Sequence, residues 1–340
     1  MITGKPIAVQ SVPTEKSGWQ QQLAEMIQDL PTLLDTCGLS TPPAPLANML
    51  EVSFPVRTTR HFAGLITRGD WHDPLLRQIL PWAAEQAVVP GFIADPLEER
   101  EASPLPGLIH KYRSRVLLVP TGACAIHCRY CFRRHFPYEG HRMGAQERAA
   151  IINYLRAHPE VNEVIFSGGD PLMLNDRTLN HWLTELAGIS NLTTVRFHSR
   201  LPVVLPDRLT PELLKVLTET RLNTVLVLHS NHAQELDDSL AARLSALRAA
   251  GVILLNQAVL LRGVNDNLMT QMALSQRLIQ LGVLPYYLHQ LDSVSGAAHF
   301  AVSDSEALLL HDEMKEELAG YLVPRLVREE PDQPSKTWLP

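Results

Sequence analysis

The chain has 340 residues, of which 45% are hydrophobic and 19% charged, which is enough apolar material for a large core. Its formal net charge of −6 argues against a non-specific nucleic-acid binder, because such proteins need a basic surface. The N-terminus lacks the apolar segment of a signal peptide, and no apolar run reaches the roughly 18 residues of a membrane span. We therefore expect a cytoplasmic protein that binds neither nucleic acid nor membranes.

The N-terminal third, residues 1–107, is predicted to be helical and irregular. Segment 18–30 has apolar residues at helical spacing and predicts one amphipathic helix with Ser17 as its N-cap. Frequent prolines divide the remainder into short pieces. Cys37 stands alone in this region, and we interpret it as a small apolar residue rather than a metal ligand. This part of the sequence shows no catalytic motif.

From about residue 115, short β-branched runs alternate with helical patterns. This alternation indicates an α/β fold with a parallel sheet and right-handed crossovers. Six units predict a partial (βα)6 barrel of the TIM type, whose active site lies at the C-terminal ends of the strands. The predicted strands are 116–120, 163–167, 194–199, 224–229, 252–258 and 285–290, and the predicted helices are 146–157, 176–187, 211–220, 236–250, 268–281 and 303–318.

Three of the four cysteines, Cys124, Cys128 and Cys131, follow the first predicted strand closely. Thiolates at this spacing can each bind one iron of a [4Fe–4S] cluster and leave the fourth iron without a protein ligand. An open coordination position is what a catalytic metal site needs. A zinc site with His127 or His135 as the fourth ligand is an alternative, although zinc sites usually bring two ligand pairs from separate segments. A cluster ligated entirely by protein is a second alternative.

A glycine-rich turn, Gly168-Gly169-Asp170, ends the second predicted strand. Two glycines let the backbone approach a ligand closely, and Asp170 can accept a hydrogen bond from an ammonium group. An ordinary turn is the alternative, because Gly-Gly and Asp-Pro are strong turn signals. The position at a strand end beside the cysteine loop favours ligand binding.

The cysteine triplet, with Tyr130 before its third member, resembles the signature of the radical S-adenosylmethionine (SAM) superfamily. The resemblance implies that the open iron binds the methionyl group of SAM. An external one-electron reductant then lets the cluster cleave SAM to a 5′-deoxyadenosyl radical. Tyr130 is expected near the adenine, and Gly168, Gly169 and Asp170 are expected at the methionyl amine.

Residues from about 97 to 336 further resemble the lysine 2,3-aminomutase family. The family moves the α-amino group of lysine to the β-carbon and holds the migrating nitrogen on pyridoxal phosphate (PLP). The cofactors carry the difficult chemistry, while the protein positions them and excludes water. The segments that carry the resemblance are 106–115, 131–134, 167–170, 198–204, 256–266, 285–289 and 320–324.

The resemblance assigns the PLP site to three residues. Lys336 matches the lysine that anchors PLP, although Pro334 and Ser335 replace two glycines of the family's loop. Tyr112 and Arg115 match cofactor contacts, and the arginine would serve the phosphate.

The resemblance also assigns substrate and SAM contacts. Arg133 matches the arginine that binds the substrate carboxylate, with charge balance beside the cluster as the alternative. Asp292 and Glu329 match two acids that hold the lysine ε-ammonium, and Glu329 stands where an aspartate is expected. Gln257 matches a SAM contact, and Ser199, at another strand end, is expected to face the same ligand.

The chain ends four residues after Lys336. The sequence around Lys336 resembles that of the short aminomutases that serve elongation factor P. This implies that L-lysine becomes (R)-β-lysine, which a separate ligase attaches to the translation factor. Alternatives are an aminomutase for glutamate, which Asp292 and Glu329 would repel, or a zinc-stabilised binding module.

The sequence is predicted to have three parts: an N-terminal region (1–107), a radical SAM barrel (108–302) and a C-terminal helix with the PLP-lysine tail (303–340).

Overall fold

The computed structural model describes residues 18–40, 42, 54–141 and 143–339. Its centre is one nine-stranded sheet in which the strands follow each other in chain order. Strands β2 to β8 run parallel, and β1 and β9 add antiparallel edges at the two ends. The strands are β1 Leu108–Tyr112, β2 Arg115–Leu118, β3 Glu163–Phe166, β4 Thr194–Ser199, β5 Asn223–His229, β6 Ile253–Val259, β7 Leu284–His289, β8 Arg325–Arg328 and β9 Thr337–Trp338.

Helices connect the parallel strands, as the sequence pattern predicts. Within the described residues, the end strands β1 and β9 do not pair with each other, so the predicted partial barrel is confirmed as an open one. The helices are α1 Gly18–Ala24, α2 Leu30–Thr36, α3 Arg60–Gly64, α4 Pro74–Arg77, α5 Ala145–Ala157, α6 Asp176–Ala187, α7 Leu201–Val204, α8 Pro211–Thr218, α9 Ser239–Ala249, α10 Leu268–Gln280 and α11 Asp304–Glu317. Short 3₁₀ helices occur at Ala83–Gln86, Tyr138–His141, Pro171–Met173, Pro206–Arg208, Ala233–Glu235, Ala298–Phe300 and Gly320–Leu322.

Helix α6 illustrates how the sequence fixes these elements. Its buried side chains recur three and four residues apart, which directs one face of the helix onto the sheet. Asn175 begins the helix, because its side chain accepts a hydrogen bond from the backbone N–H of Thr178 at 2.8 Å. The buried residues are Leu179, Trp182, Leu183 and Leu186.

The prediction of one helix over residues 18–30 is wrong. Helix α1 ends at Ala24, and Ile27 forms a β-bridge with Thr58. The carboxylate of Asp29 then accepts from the backbone of Thr32 and caps a new helix, whose first turn contains a proline. The predicted cap, Ser17, lies outside the described residues.

The N-terminal region packs onto the same core as the barrel. One apolar cluster extends from Trp19 to Leu326, and it includes Cys37, which is buried as an ordinary apolar residue. The N-terminal region also contacts the cysteine loop, because Gln78 accepts a backbone hydrogen bond from Arg129 at 2.9 Å. Nothing in the described ranges has the length and apolar character of a membrane-crossing helix.

Candidate active site

A cavity of about 750 Å³ is lined by the strands of the barrel and by loops that follow them. Its wall includes side chains from β1 through β7, from the cysteine loop and from the C-terminal tail. Every site residue predicted from the sequence lines this cavity except Ser199. Residues that are up to 224 positions apart, such as Tyr112 and Lys336, are therefore brought to one site.

The three cysteines of the loop after β2 are free thiols at the cavity wall. Each predicted zinc ligand has one ring nitrogen occupied by a backbone carbonyl: His127 contacts that of Pro55 at 2.9 Å, and His135 that of Ser295 at 3.1 Å. Across the described ranges, no three histidine, cysteine or acidic side chains converge on a point that could hold one metal ion. Thiols that bind three different irons of one cluster need no such point. The loop therefore fits a [4Fe–4S] cluster better than zinc.

The glycine pair after β3 packs directly against the cysteine loop. Gly169 donates its N–H to the carbonyl of Thr121 at 2.8 Å, and Asp170 donates to that of Ala123 at 2.8 Å. Gly168 has a φ of +104°, and a Cβ there would lie 2.7 Å from the Thr121 oxygen. Larger residues would therefore push the loop away.

Gly169→Ala tests this packing. The new methyl group would meet the carbonyl oxygen of Ala123 at 2.5 Å, and backbone atoms cannot rotate away as a side chain can. We expect about 1–3 kcal/mol of destabilisation, as for other overpacked sites, and less iron in the purified protein. Gly64→Ala is the control, because its Cβ would meet nothing within 4 Å. Chemical denaturation and iron analysis measure both effects, and full iron loading of Gly169→Ala would contradict the packing argument.

Asp170 holds the turn after β4 rather than pointing freely into the cavity. One carboxylate oxygen accepts from Ser199 at 2.7 Å and from the backbone of Leu172 at 3.0 Å. The other accepts from the backbone N–H groups of Arg200 and Leu201, both at 2.8 Å. Burial raises the pKa of Asp170 to about 6, against the lowering effect of these hydrogen bonds. Contact with the methionyl amine stays a prediction.

Ser199 lies behind Asp170 and not on the cavity surface. The physical reason is the two-residue period of a strand, since Arg196 and His198 of β4 line the cavity and Ser199 points to the other face. Ser199 therefore supports Asp170, because its hydroxyl donates to the Asp170 carboxylate. The sequence resemblance had assigned both residues to SAM.

Tyr130 belongs to a buried polar network that the sequence did not reveal. Its hydroxyl accepts hydrogen bonds from Arg200 and from Asn231, the latter at 2.6 Å. Arg200 also pairs with Glu235 at 3.1 Å, and Gln78 of the N-terminal region joins the same network. These contacts fix the ring beside the cysteine loop.

Four half-buried polar side chains on neighbouring strands line the cavity. Each has one buried ring or amide atom with no hydrogen-bond partner among the described residues. Burial lowers the pKa of His229 to about 3 and the pKa values of His198 and His289 well below their usual range, so all three imidazoles are neutral. Unsatisfied buried polar atoms in a cavity indicate that a polar ligand completes them. The atoms are Nε2 of His198, His229 and His289, and Oε1 of Gln257.

The guanidinium of Arg133 is engaged by other side chains. Its guanidinium forms a two-pronged ion pair with Glu99, with both N–O distances at 2.7 Å, and donates to Ser167 at 2.8 Å. A substrate carboxylate must therefore use the remaining N–H groups or displace Glu99. Sequence reasoning missed Glu99, and likewise Glu85, which pairs with Arg129 at 2.5 Å and so anchors the cysteine loop.

The tail places Lys336 inside the same cavity as the cysteines. Its ammonium donates to Glu329, and the other oxygen of Glu329 accepts from the hydroxyl of Tyr112. Arg115 lies over the Tyr112 ring at 4.1 Å, while its cross-strand neighbour Glu163 pairs with Arg196 instead at 2.8 Å. Among the described residues no carboxylate pairs with Arg115, so this arginine fits the phosphate end of PLP, while Lys336, paired with Glu329, fits the aldehyde end.

Asp292 follows β7 and lies in the cavity wall. Burial raises its pKa to about 7, while the positive charge of Lys336 lowers it and Glu329 raises it further. Within residues 54–141 and 143–339, no side chain donates a hydrogen bond to this carboxylate. Asp292 is thus a half-buried acid to which none of these side chains donates, which favours a cationic ligand group beside it.

The open parallel barrel, with three cysteines in its first loop, defines a radical SAM enzyme, and residues 118–273 match the family model described as the Radical SAM superfamily. The L-lysine 2,3-aminomutase of Escherichia coli K12 is 46% identical over 325 residues, which cover 95% of each chain. That of Haemophilus influenzae is 43% identical, over 95% of this chain and 96% of the relative. The chain therefore belongs to the lysine 2,3-aminomutase family, whose members are isomerases that use a [4Fe–4S] cluster, SAM and PLP.

A third relative, the L-lysine 2,3-aminomutase of Clostridium subterminale, is 38% identical over 283 residues. The alignment covers 82% of this chain but only 67% of that relative. The family thus contains members of about this chain's length and members that are considerably longer.

Proposed function

We propose that this protein is a radical SAM, PLP-dependent aminomutase that converts L-lysine to (R)-β-lysine. The observation that carries the proposal is the convergence of Lys336, the cysteine loop and the carboxylate of Asp292 on one cavity. Only a reaction that needs an anchored cofactor, a radical source and a cationic substrate requires all three groups together. When bound, the cluster and SAM supply a hydrogen-abstracting radical, and PLP supplies a carrier for the migrating nitrogen.

The residues of the chain bind and orient these groups. Cys124, Cys128 and Cys131 hold the cluster, and the close backbone approach at Gly168 and Gly169 keeps the cysteine loop packed against the end of β3. Tyr130 and Gln257 contact SAM, and Asp170 with Ser199 supports that site from behind. The barrel wall excludes water, which protects a reactive radical from side reactions.

Substrate and PLP occupy the part of the cavity lined by β1, β2 and the C-terminal tail in this proposal. Arg115 binds the PLP phosphate, with Tyr112 beside it, and Lys336 anchors PLP. Arg133 binds the substrate carboxylate, and Asp292 holds the ammonium at the other end of lysine. An anionic substrate such as glutamate would place its side-chain carboxylate beside Asp292, which like-charge repulsion disfavours.

The proposed role of the product is the modification of elongation factor P by a separate ligase, in the cytoplasm. The proposal is supported by the near-complete length match with the Escherichia coli relative, against 67% coverage of the longer clostridial one. The test is anaerobic reconstitution with iron, sulfide, SAM, PLP and a one-electron reductant, followed by chiral analysis of the product from L-lysine. Formation of β-glutamate from glutamate, or no β-lysine from a fully loaded enzyme, would refute the assignment.

Asp292→Asn should weaken lysine binding about tenfold or more, because a charge-assisted contact worth roughly 1.5–3 kcal/mol is lost. The raised pKa of Asp292, about 7, adds a pH signature. The carboxylate binds lysine only when ionised, so kcat/KM of the wild type should fall as pH drops below about 7. In the variant, this fall of kcat/KM at low pH should be absent. Initial rates measured across the neutral pH range will show the difference. An unchanged KM would count against lysine as substrate.

A further inference from the structure

Glu85 is a buried acid at which two arginines of the cysteine loop meet. Its side chain is 0% exposed, and its short 3₁₀ helix, Ala83–Gln86, belongs to the N-terminal region. One carboxylate oxygen accepts from Nε of Arg129 at 2.7 Å. The other accepts from Nη2 of Arg129 at 2.5 Å and from Nη2 of Arg134 at 2.7 Å. Both oxygens are therefore bound by charged donors from the loop.

The two arginines lie on either side of the turn that contains the last two cysteines. Arg129 directly follows Cys128 in the sequence, and the backbone N–H of Arg134 donates to the carbonyl of Cys131 at 3.1 Å. The turn is closed by Cys131, whose N–H donates to the carbonyl of Cys128 at 3.1 Å. Nη1 of Arg134 also donates to the carbonyl of Arg129 at 3.0 Å. Two of the three cysteines thus lie in a turn whose flanking side chains converge on one carboxylate.

The positive charges of the cysteine loop depend on the N-terminal region for their counter-ions. The side chains of its three arginines are at most 5% exposed, so salt and water screen them little. In the described part of the chain they form ion pairs with Glu85 and Glu99, and Glu85 serves two of the three. Burial raises the pKa of Glu85, but the hydrogen bonds and charges of Arg129 and Arg134 outweigh it and lower the pKa. Loss of this carboxylate would leave two buried cations beside the cysteines without their counter-ion.

We propose that Glu85 is a positioning residue of the cluster site, which fixes the turn of Cys128 and Cys131 through the two arginines and keeps the reduction potential of the cluster low by its charge. The inference rests on the proposed function, because it takes the three cysteines as the cluster ligands. Net charge is one of the quantities that set the potential of an iron–sulfur cluster. A reduced cluster carries one more negative charge than an oxidised one, so nearby negative charge opposes reduction. Glu85 therefore makes the reduced cluster a stronger donor of the electron that SAM cleavage consumes.

The test compares two substitutions of opposite charge in protein reconstituted anaerobically with iron and sulfide, without SAM, PLP or lysine. Glu85→Gln removes the negative charge and should raise the one-electron midpoint potential of the cluster. Arg134→Met removes one of the positive charges that Glu85 pairs with and should lower this potential. The double variant should have a potential between those of the two single variants. Redox titration followed by electron paramagnetic resonance measures the potentials, and iron and sulfide analysis measures the loading.

Asp73→Asn is the matched control, because Asp73 is also a buried acid of the N-terminal region. Its carboxylate accepts from the backbone of Leu75 at 2.8 Å and from the side chain of Gln234 at 2.8 Å. Within the described residues, none of its hydrogen bonds reaches the cysteine loop. We expect Asp73→Asn to lower the stability of the fold without changing the potential of the cluster. Glu85→Asp keeps the charge and should keep the potential near that of the wild type, even if the shorter side chain lowers iron loading.

Opposite shifts of the potential in Glu85→Gln and Arg134→Met support the inference, because a loosened loop alone would move both variants in the same direction. Shifts of the same sign, a shift missing from either variant, or an equal shift in Asp73→Asn overturn it. If Glu85→Gln takes up no iron, Arg134→Met decides against the wild type: a lower potential supports the inference, and an unchanged or higher one overturns it.

The wild type separates this inference from the proposed function. A loaded wild type that makes no β-lysine would refute the proposed reaction alone, and the potentials of the variants would still decide the role of Glu85. A wild type that takes up no cluster would refute the assignment of the cysteines and this inference with it.

Discussion

Lys336→Ala should abolish covalent PLP capture and lower turnover by roughly 10³-fold or more, while the cluster stays in place. The side chain reaches the cavity from the hairpin between β8 and β9, far from the cysteine loop in sequence. Its removal deletes the amine that bonds PLP but no contact of the cysteines. The measurements are visible absorbance with PLP, iron and sulfide content, and β-lysine formation.

Lys111→Ala is the control for this prediction, because Lys111 is a second lysine that lines the cavity. Its ammonium donates to the carbonyl of Leu97, so it is held at the wall. We expect Lys111→Ala to retain borohydride-trapped PLP on Lys336. Trapping on Lys111 instead, or β-lysine formation by Lys336→Ala at the wild-type rate, would show that the anchor is misassigned.

The barrel could be predicted because its signals are local. Strands β2 to β7 and the helices of eight or more residues between them were predicted to within about three residues at every boundary, since each contains a hydrophobic period and ends at a cap or a glycine. The four-residue helix α7 was not predicted. Strands β1, β8 and β9 were missed. Strand β9 has two residues, and its structure is set by pairing with β8 rather than by propensity.

Only those site residues that belong to a recognisable sequence motif could be predicted. The cysteine spacing and the glycine turn indicated which residues meet, and the cavity contains them. The partners of charged residues could not be found, because Glu99 meets Arg133 and Glu329 meets Tyr112 only through the closed tertiary fold. Ser199 is different, since the strand period from Arg196 and His198 already places it on the opposite face.

Cys128→Ser should eliminate both the cluster and the reaction. The hydroxyl of serine stays protonated near neutral pH and is a poor iron ligand, so only two thiolates of the loop remain. We expect iron and sulfide content to fall to near zero and β-lysine formation to become undetectable. The substitution changes one atom in a loop held mainly by backbone hydrogen bonds and by the Arg129–Glu85 ion pair, so the fold should survive.

Cys37→Ala is the matched control: Cys37 is buried in the apolar cluster, and its loss should cost about 1 kcal/mol of stability without removing iron. Because both variants lose one sulfur, a difference in iron content between them reports the position of the thiol rather than the number of cysteines. Full iron content in Cys128→Ser would mean that another group supplies the third ligand, and the open iron on which SAM binding depends would have to be assigned again.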